Sequence, residues 1–450
     1  MKREFYEPFF KGKEVTVMGL GVLGRGIQVT QFLAECGASI TVTDLKDKES
    51  LKNSVKALAQ YRIRYVLGKH DIKDFENIDL VIKAAGVPLD SQYIKHARAK
   101  DVPVVMDASL FAKIIQGAVP RITIIGVTGT RGKSMTTALI YHILKKNEET
   151  LGGKIYLGGN MRNKATLPLL KKVVPGDFVV LELDSWQLQG FGDKKLSPHI
   201  AVFTNLMQDH LNYYKKNPEK YLGDKSNIYK FQNKNDVFIT NKRLLKILTD
   251  KPRGKVVIPE RKTTSNIRLR TLGTHNLLNT SYAYEATRAL GLKDTNIRHA
   301  IENFHGLEGR LEYIGKKNGI AIINDNNSTT PEATIAGIKA MRDKYGEAGI
   351  ILICGGADKG LDLSSFASQI EKSCRQTILL PGTGTELLKK HLHGNFKETA
   401  SLKSAIREAF RVGHINDVVL FSPGFASFGL FNNEYDRNDQ FLEIIRNRKY

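Results

Sequence analysis

The stretch ITIIGVTGTRGKSMTTALI (122–140) contains a β-branched apolar run, a glycine-rich turn and a helical pattern in direct succession. Glycine lets the backbone turn its amides toward a phosphate without a Cβ in the way. The N-terminus of the following helix adds about half a positive charge. Lys133 can then reach the β- and γ-phosphates of a nucleotide, and the Ser134 hydroxyl can hold Mg²⁺. The stretch predicts a strand, a phosphate loop and a helix starting near Met135.

The glycine spacing of this loop departs from the usual phosphate-loop count. Only two residues separate Gly129 from Gly132, and Gly126 is one residue too distant. A glycine-rich turn with a solvated lysine is the alternative interpretation. The order of strand, glycines, Lys-Ser and helix favours the nucleotide site.

Apolar, β-branched segments alternate with helical patterns over the rest of the chain. The segments are short and rich in Val and Ile, which is typical of buried parallel strands with functional residues at their carboxyl ends. They occupy residues 14–20, 79–86, 122–129, 177–183, 200–206, 320–326, 349–356 and 417–424. Helical patterns between them include 133–146 and 330–342. The alternation predicts doubly wound α/β sheets.

Three strand-rich blocks suggest three domains, as does a length of 450 residues at about 150 residues per domain. We expect a Rossmann-like domain over 1–117, a central phosphate-loop α/β domain over 118–305, and a C-terminal Rossmann-like α/β domain over 306–450. QGAVPR (116–121) predicts a turn or linker, and EGRLEYIGKKNGIAI (308–322) predicts a hairpin that opens the third sheet.

The composition, with 41% hydrophobic and 25% charged residues, excludes a disordered or fibrous chain. Three widely spaced cysteines cannot form a disulfide framework, which indicates a reducing compartment. The first residues lack the apolar core of a signal peptide, and no apolar run reaches 18 residues. We therefore expect a cytoplasmic protein without a membrane span.

The formal net charge of +22 would attract anions such as nucleic acid, membrane surfaces or phosphorylated small molecules. The basic residues are spread along the whole chain, and no basic run is interleaved with aromatic residues. This distribution favours a generally basic solvated surface, with a specific polyanion partner as the alternative. No nucleic-acid partner is expected.

A second glycine motif lies near the start of the chain, in VTVMGLGVLGRGIQVTQFLAECGASITVTDL (15–45). Gly19, Gly21 and Gly24 have the dinucleotide-binding spacing, and Asp44 ends the next strand twenty residues later. Alone, the motif suggests NAD with Asp44 on a ribose hydroxyl. The same backbone also fits the diphosphate of a UDP compound, or a turn used only for packing.

Several isolated polar residues follow predicted strands. Glu182 closes DFVVLEL and could coordinate Mg²⁺, or form a surface salt bridge. His210 could ligate a metal or contact phosphate, or could cap a helix or lie in the core. Lys225 lies on a helical pattern, where a lone lysine is by pattern a solvated charge. Asp325 and Lys359 follow later strands as either ligand contacts or solvated charges.

Eight segments together resemble a known family. In order they are TGTRGKS, LELDSWQL, TNLMQDHLNYY, GTHNLLN, LEGRLEYI, IINDN, GGADKG and SPGFASFGLF. Their order and spacing are similar to those of the Mur ligases over nearly the whole chain. The GLGVLG start is similar to that of the members that add D-glutamate.

The resemblance implies one domain that binds UDP, a central ATPase domain, and a C-terminal domain that closes over the nucleotide and the amino acid. It implies that ATP phosphorylates the carboxylate of UDP-N-acetylmuramoyl-L-alanine, and that the amine of D-glutamate attacks the acyl phosphate, in peptidoglycan precursor synthesis. It also implies small-molecule substrates and, by expectation, a monomer. A related amide ligase of another Mur, pseudomurein or folylpolyglutamate type is the alternative. A non-enzymatic nucleotide-binding protein is the third possibility.

The resemblance also implies site residues and cofactors. Two Mg²⁺ ions would be held by Ser134, Glu182, His210 and a carbamylated Lys225. The catalytic residues would be Lys133, Glu182, His210 and Lys225. ATP would contact Gly129, Thr130, Arg131, Gly132, Lys133, Ser134, Met135, Asn279, Arg310 and Asp325. The UDP substrate would contact Val22, Leu23, Asp44, Gly86, Asn160 and Gln187. D-Glutamate would contact Thr329, Lys359 and Ser427.

Four residues depart from the family pattern at the substrate end. Asp184 stands where serine is common, and an extra carboxylate there would repel an anionic substrate unless it is paired or metal-bound. Asn327 stands where lysine is frequent, Glu434 where an aromatic residue is common, and Asn438 where glycine is. These changes bear on the substrate more than on ATP.

Overall fold

The computed structural model describes residues 2–118, 121–207, 213–214, 217–264, 266–267, 269, 273, 275–394 and 396–447. These residues form three sheets, as the strand patterns predict. The chain divides into two compact units, one of Met1–Asn266 with Asn279–Ile301, and one of Ile267–Leu278 with Glu302–Tyr450. The first two sheets belong to the first unit, so the domain boundaries expected from sequence stay predictions. Within the described residues, no helix is long and apolar enough to cross a membrane.

The first sheet is parallel, with strand order β3-β2-β1-β4-β5. Its strands are β1 Glu14–Met18, β2 Ser39–Asp44, β3 Ile63–Leu67, β4 Leu80–Lys83 and β5 Val104–Val105. Its helices are α1 Arg25–Glu35, α2 Lys52–Lys56, α3 Gln92–Ala99 and α4 Asp107–Ala118. The strand order reverses at β1, and ligands of such sheets bind beyond the carboxyl ends at that point.

The predicted linker at 116–121 is wrong in its first half, because α4 continues through residues 116–118. Leu110, Ile114 and Ile115 on the preceding turns pack into the core and hold this helix in place. Gln116 and Ala118 are good helix formers, which favours this last turn.

The second sheet is also parallel, with order β11-β10-β9-β6-β8-β7. Its strands are β6 Thr123–Thr128, β7 Ile155–Gly159, β8 Phe178–Glu182, β9 Ile200–Phe203, β10 Val237–Ile239 and β11 Lys255–Val257. The helices of this part are α5 Lys133–Lys146, α6 Glu148–Leu151, α7 Ser185–Asp193, α8 Pro218–Ser226, α9 Lys242–Leu245, α10 His275–Arg288 and α11 Asp294–Glu302. β6 lies at the centre, with its carboxyl end between those of β8 and β9.

The third sheet has the order β12-β13-β17-β14-β15-β16. Its strands are β12 Glu312–Lys317, β13 Ile320–Asn324, β14 Ile350–Cys354, β15 Cys374–Leu379, β16 Phe396–Glu398 and β17 Val418–Phe421. Its helices are α12 Pro331–Tyr345, α13 Ser364–Ser373, α14 Thr383–Lys389, α15 Leu402–Val412 and α16 Glu434–Arg446. The expected hairpin is confirmed, because β12 is antiparallel to β13. Asn318 and Gly319 both have positive φ, as a two-residue hairpin turn requires.

The apolar core differs between the two units. In the first unit one continuous cluster joins both sheets, and it includes Val17 and Phe32 from the first and Leu181 and Phe203 from the second. In the second unit, separate clusters cover the two faces of the third sheet. Helices cover both faces of a parallel sheet, so its strands are buried on both sides, which explains why they are short and continuously apolar.

Candidate functional site

The predicted phosphate loop lies between β6 and α5, at the carboxyl end of the central strand. The helix begins at Lys133, two residues before the expected start, with Gly132 as its left-handed cap at φ +79°. Gly129 has φ +146°, and a Cβ there would lie 2.0 Å from the Thr204 hydroxyl. Both glycines are therefore required by the backbone path of the loop.

Neighbouring strand ends brace this loop. The Thr130 amide donates to the Asn205 carbonyl (2.9 Å), and the Arg131 amide donates to the Asn205 side chain (2.8 Å). The Thr204 hydroxyl donates to the Arg131 carbonyl (2.7 Å). The segment that follows β9 therefore fixes the backbone of the loop.

The Lys133 ammonium lies back over the loop. It donates to the carbonyls of Gly129 (3.0 Å) and Thr130 (3.1 Å). Ser134 follows it in the first turn of α5, and Met135 is buried in the core. A cation and a hydroxyl at the start of a helix suit the terminal phosphates of a nucleotide and an accompanying Mg²⁺.

Glu182 ends β8, beside the phosphate loop, and Val127 of β6 is its partner in the sheet. Its side chain is 3% exposed, and Oε2 is buried without a hydrogen-bond partner among the described residues. This excludes the surface salt bridge that was the alternative. A buried carboxylate oxygen without a donor suits a hard cation, so the residues fit Mg²⁺.

Lys225 on α8 is 1% exposed, contrary to the solvated position that its local pattern favours. Its Nζ donates to the Gly129 carbonyl (2.9 Å), lies 3.4 Å from the Thr128 hydroxyl, and is 4.8 Å from the ring centroid of Tyr221. The structure therefore places this lysine against the phosphate loop. His210, the fourth predicted metal ligand, lies outside the described residues.

Asn279 of α10 packs against the same loop. A Cβ on Gly132 would lie 2.4 Å from its Oδ1, and Asn279 is buried. The predicted nucleotide residues at 129–135, Glu182, Lys225 and Asn279 therefore come together within the first unit.

A cavity of about 270 Å³ lies at the carboxyl edge of the first sheet. Val22, Leu23 and Gly86, three residues predicted to contact the UDP substrate, line it together with Arg25 and Lys46. Basic side chains at a glycine turn and a helix N-terminus suit a diphosphate.

Asp44 holds two of the turns that border this cavity. Its Oδ2 accepts from the Gly21 amide (2.9 Å), and its Oδ1 accepts from the Lys46 amide (2.9 Å). The carboxylate thus holds the glycine turn and the turn after β2. Its contact with the substrate stays a prediction.

The loop of Asn160 docks onto the glycine turn of the first sheet. The Gln28 side chain donates to the Asn163 carbonyl (3.1 Å) and accepts from the Ala165 amide (2.9 Å). The Asn160 amide donates to the Glu182 carbonyl (2.7 Å). Gln187 is 1% exposed, and its side-chain amide has no partner among the described residues. The segment after β7 therefore contacts both α1 of the first sheet and the end of β8 beside the phosphate loop.

In the second unit, the carboxyl ends of β13, β17 and β14 are adjacent. This arrangement brings together the three residues predicted to bind the amino acid. The Lys359 ammonium donates to the Thr329 hydroxyl (3.1 Å). Ser427 is buried beside the bridge between Ala357 and Ala426.

Asp325 follows β13 and has both oxygens engaged. It accepts from the Leu311 amide (3.1 Å) and from the hydroxyls of Ser328 (2.6 Å) and Ser422 (2.7 Å). The bond to the Leu311 amide fixes the backbone next to Arg310, and Arg310 itself is exposed. Burial raises the pKa of Asp325 to about 6, and the three donors oppose that shift.

This raised pKa predicts a pH dependence of stability. Between the unfolded pKa near 4 and the folded pKa near 6, the folded state binds the proton more tightly, so stability falls as pH rises. Relative to Asp325→Asn, the wild type should lose about 2–3 kcal/mol of unfolding free energy between pH 4 and 7. Calorimetric unfolding across this range measures it, with the exposed Asp343→Asn as control. Parallel curves for wild type and Asp325→Asn would contradict the assignment.

A buried arginine in the second unit was missed from sequence. Arg437 of α16 is 0% exposed and donates to the Asn326 side chain (2.8 Å), the Asn326 carbonyl (2.9 Å) and the Phe425 carbonyl (3.3 Å). It connects the segments after β13 and β17, which carry predicted amino-acid contacts. An arginine in a charged helix gives no local signal of burial.

The departures from the family pattern enter hydrogen-bond networks. Asn438 donates to the Glu308 carboxylate (2.6 Å) and accepts from Asn324 (2.9 Å), and Asn327 donates to the Glu308 carbonyl (3.2 Å). These bonds hold the segment before Arg310. Asp184 is the N-cap of α7 and accepts from the Gln187 amide (2.7 Å). The D-x-x-Q spacing, a capping-box pattern, was the signal for this role.

A phosphate loop facing a buried carboxylate, on a sheet that shares its core with a glycine-turn sheet, defines a multidomain nucleotide-dependent enzyme. Three family descriptions match: the MurD-like N-terminal domain of Mur ligases over residues 13–106, the Mur ligase middle domain over 127–257, and the Mur ligase glutamate ligase domain over 309–425. The chain belongs to the Mur ligase family.

Curated relatives narrow the comparison. The UDP-N-acetylmuramoylalanine–D-glutamate ligase of Roseiflexus sp. (strain RS-1) is 34% identical, covering 96% of this chain and 98% of its own. The enzyme of the same name from Borreliella burgdorferi (strain ZS7) is also 34% identical, covering 97% and 98%.

Solved structures share the three-domain fold. The UDP-N-acetylmuramate-alanine ligase MurC of Thermotoga maritima has a TM-score of 0.62 at 18% identity, covering 97% of this chain and 100% of its own. E. coli FolC, in complex with DHPP and ADP, has a TM-score of 0.58 at 18% identity, covering 81% and 99%. A pseudomurein peptide ligase type C from Methanothermus fervidus has a TM-score of 0.52 at 17% identity, covering 96% and 100%.

Proposed function

We propose that this protein is the ATP-dependent ligase that joins D-glutamate to UDP-N-acetylmuramoyl-L-alanine in peptidoglycan precursor synthesis. The near-full-length relatives of that name support the substrate assignment. The observation that carries the chemistry is the buried, unpartnered Oε2 of Glu182 at the same sheet edge as the lysine-bearing phosphate loop.

The reaction explains why such a site is needed. A carboxylate is a poor electrophile, so its oxygen first takes the terminal phosphoryl group of ATP and ADP leaves. The amine of D-glutamate then attacks the acyl carbon, loses a proton, and phosphate departs as the amide forms. Phosphoryl transfer depends mostly on positioning and on neutralising charge.

The chain's own residues have separate tasks in this scheme. The Lys133 ammonium neutralises the terminal phosphate, and the amides of residues 129–134 orient it. Ser134 and Glu182 would hold Mg²⁺, with His210 and Lys225 at a second ion. Mg²⁺ when bound supplies further neutralisation of the transferring group. Asn279, Arg310 and Asp325 would hold the nucleotide.

The remaining predicted contacts belong to the two other substrates. Val22, Leu23, Asp44 and Gly86 would bind the uridine diphosphate, with Asn160 and Gln187 on the muramoyl portion. The unpartnered amide of Gln187 supports that role. Thr329, Lys359 and Ser427 would bind the carboxylates of D-glutamate, and the contact between Lys359 and Thr329 supports their grouping.

Phosphate release tests this function. ATP hydrolysis should depend on both UDP-N-acetylmuramoyl-L-alanine and D-glutamate, and a mass-identified amide should form in equal amount. A panel of amino acids at the same concentration tests the alternative, a related ligase with another amino acid, which Asn327 and Glu434 favour. A clear preference for a different amino acid would replace the proposal by that alternative. No turnover with any of them would overturn both.

We further propose that Lys225 carries a carbamate, formed when its neutral amine attacks CO₂ and loses a proton. Burial against the phosphate loop supports this, because a carbamate converts the ammonium into an oxygen ligand for a hard cation. With ¹³C-bicarbonate, the wild type should show a carbamate NMR signal that Lys225→Arg lacks. Lys220→Arg, an exposed change on the same helix, should retain it. A wild type without the signal would contradict the carbamate.

The proposed setting is the cytoplasm, with small molecules as substrates and a monomer as the working form. Three unpaired cysteines are consistent with a reducing compartment. Sedimentation of the purified chain at micromolar concentration measures the oligomeric state, and a stable dimer would contradict the monomer.

A further inference from the structure

Lys83, the last residue of β4, is a buried charge that the proposed mechanism does not use. It is 3% exposed, and its ammonium donates to the Val87 carbonyl at 2.9 Å, with the Ala84 and Ala85 carbonyls at 3.4 and 3.5 Å. All three of these acceptors are neutral backbone carbonyls. A buried cation with only neutral acceptors is costly, so its charge must be offset by groups at longer range.

The position of Lys83 supplies these groups. β4 pairs with β5 so that Ile82 lies opposite Val105, and the next residues of the two strands therefore meet near Met106. Met106 contacts α7 of the central sheet, because a Cβ on Gly190 would lie 3.1 Å from its Sδ. The end of β4 thus lies where the first sheet packs on α7.

The charges around Lys83 are mainly carboxylates of the second sheet's helices. Among the carboxylates, Asp184 at the start of α7 acts most strongly on the Lys83 ammonium. Asp193 and Asp224 act in the same direction, and Arg98 acts against them. Burial lowers the pKa of Lys83 to about 8, and Asp184 is the strongest group that opposes the shift. Asp184 is itself buried, with one oxygen on the Gln187 amide.

Lys83 also borders the substrate cavity. It lines the cavity with Gly86, and the carbonyls that it binds belong to residues on both sides of that glycine. One ammonium therefore shapes the turn at the proposed UDP site, and of the charges that act on it at longer range the strongest is Asp184, the carboxylate that departs from the family pattern.

We propose that Lys83 is a positioning residue of the sugar-nucleotide site, which holds the turn around Gly86 and offsets the charge of Asp184 so that an anionic substrate can lie beside that carboxylate. The inference rests on the proposed function, since it needs the UDP substrate in this cavity. The positive charge of Lys83 would reduce the repulsion between the Asp184 carboxylate and an anionic substrate.

Calorimetric binding of UDP-N-acetylmuramoyl-L-alanine to the full chain without ATP tests this, using wild type, Lys83→Met, Asp184→Ser and the double variant. Serine is chosen because it retains the N-cap of α7. Lys83→Met should weaken binding by about tenfold or more, and Asp184→Ser should strengthen it by about threefold. In the Asp184→Ser background Lys83→Met should weaken binding by no more than about threefold, so the double variant should bind at least as tightly as wild type, and the KM for ATP should change by less than about twofold throughout.

The opposite signs separate charge offset from a merely structural role. Unchanged binding by folded Lys83→Met would overturn the inference, and so would an equal loss in the Asp184→Ser background. If the single variant Lys83→Met does not fold, the single variant Asp184→Ser still tests the inference. Asp184→Ser that binds the sugar nucleotide no more tightly than wild type would contradict the proposal that Lys83 offsets the charge of Asp184. Wild type that binds the sugar nucleotide and turns over supports the proposed function whatever the variants do. Wild type that does not bind it overturns the proposed function, and the inference with it.

Discussion

Lys133→Ala should lower turnover by about 10³-fold while the protein stays folded. The ammonium lies over the phosphate loop, on the carbonyls of Gly129 and Thr130. Its loss leaves the charge that develops on the transferring phosphoryl group without its nearest neutralising side chain. Phosphate release under saturating substrates measures the effect, and circular dichroism confirms the fold.

The matched control for this change is Lys146→Ala, at the exposed end of the same helix. It removes one charge and one side chain from α5 without reaching the loop, so turnover should stay within about twofold of wild type. Activity of Lys133→Ala within tenfold of wild type would contradict the phosphate role of this lysine.

Glu182→Gln is expected to lower turnover by about 10²-fold or more at fixed Mg²⁺, because it removes a charged metal ligand and keeps the side-chain shape. Thermal unfolding gives a readout independent of turnover. Without metal, the variant should be more stable than wild type by about 1–3 kcal/mol, since it no longer buries an unpartnered carboxylate. Added Mg²⁺ with a non-hydrolysable ATP analogue should stabilise the wild type more than the variant.

Glu285→Gln is the control, a buried glutamate of the same unit that is paired with Arg288 at 2.6 Å. It should lose some stability but keep turnover and the response to Mg²⁺. If Glu182→Gln responds to Mg²⁺ as fully as the wild type, Glu182 is not a metal ligand.

Local patterns were sufficient to predict the strands that carry the site. The run before Gly129 and the run ending at Glu182 are continuously apolar and β-branched, and both form strands of the central sheet. The sequence predicted that the helix after the loop begins near Met135, and it begins two residues earlier, at Lys133. The left-handed conformation of Gly132 caps the helix at that point.

Burial of isolated charges could not be predicted in this way. Lys225 and Arg437 lie in polar or mixed segments, and their surroundings come from residues distant in sequence. Lys225 is buried because α8 packs where β6 ends, so its importance followed from family resemblance and not from its helical pattern. Lys83 gave a weak signal, a lysine within an otherwise apolar strand.

The sequence blocks predicted three domains, and in the structure one apolar cluster joins the first two sheets. This shared apolar interior has a thermodynamic consequence for recognition. Because one apolar cluster joins the two sheets, the cavity of the first sheet and the phosphate loop of the second are held together by the fold, and no association entropy is lost in bringing them together. A sugar nucleotide that spans the proposed sites would therefore be selected for its length by a preorganised framework, and new side chains along that framework would be needed to change this selection.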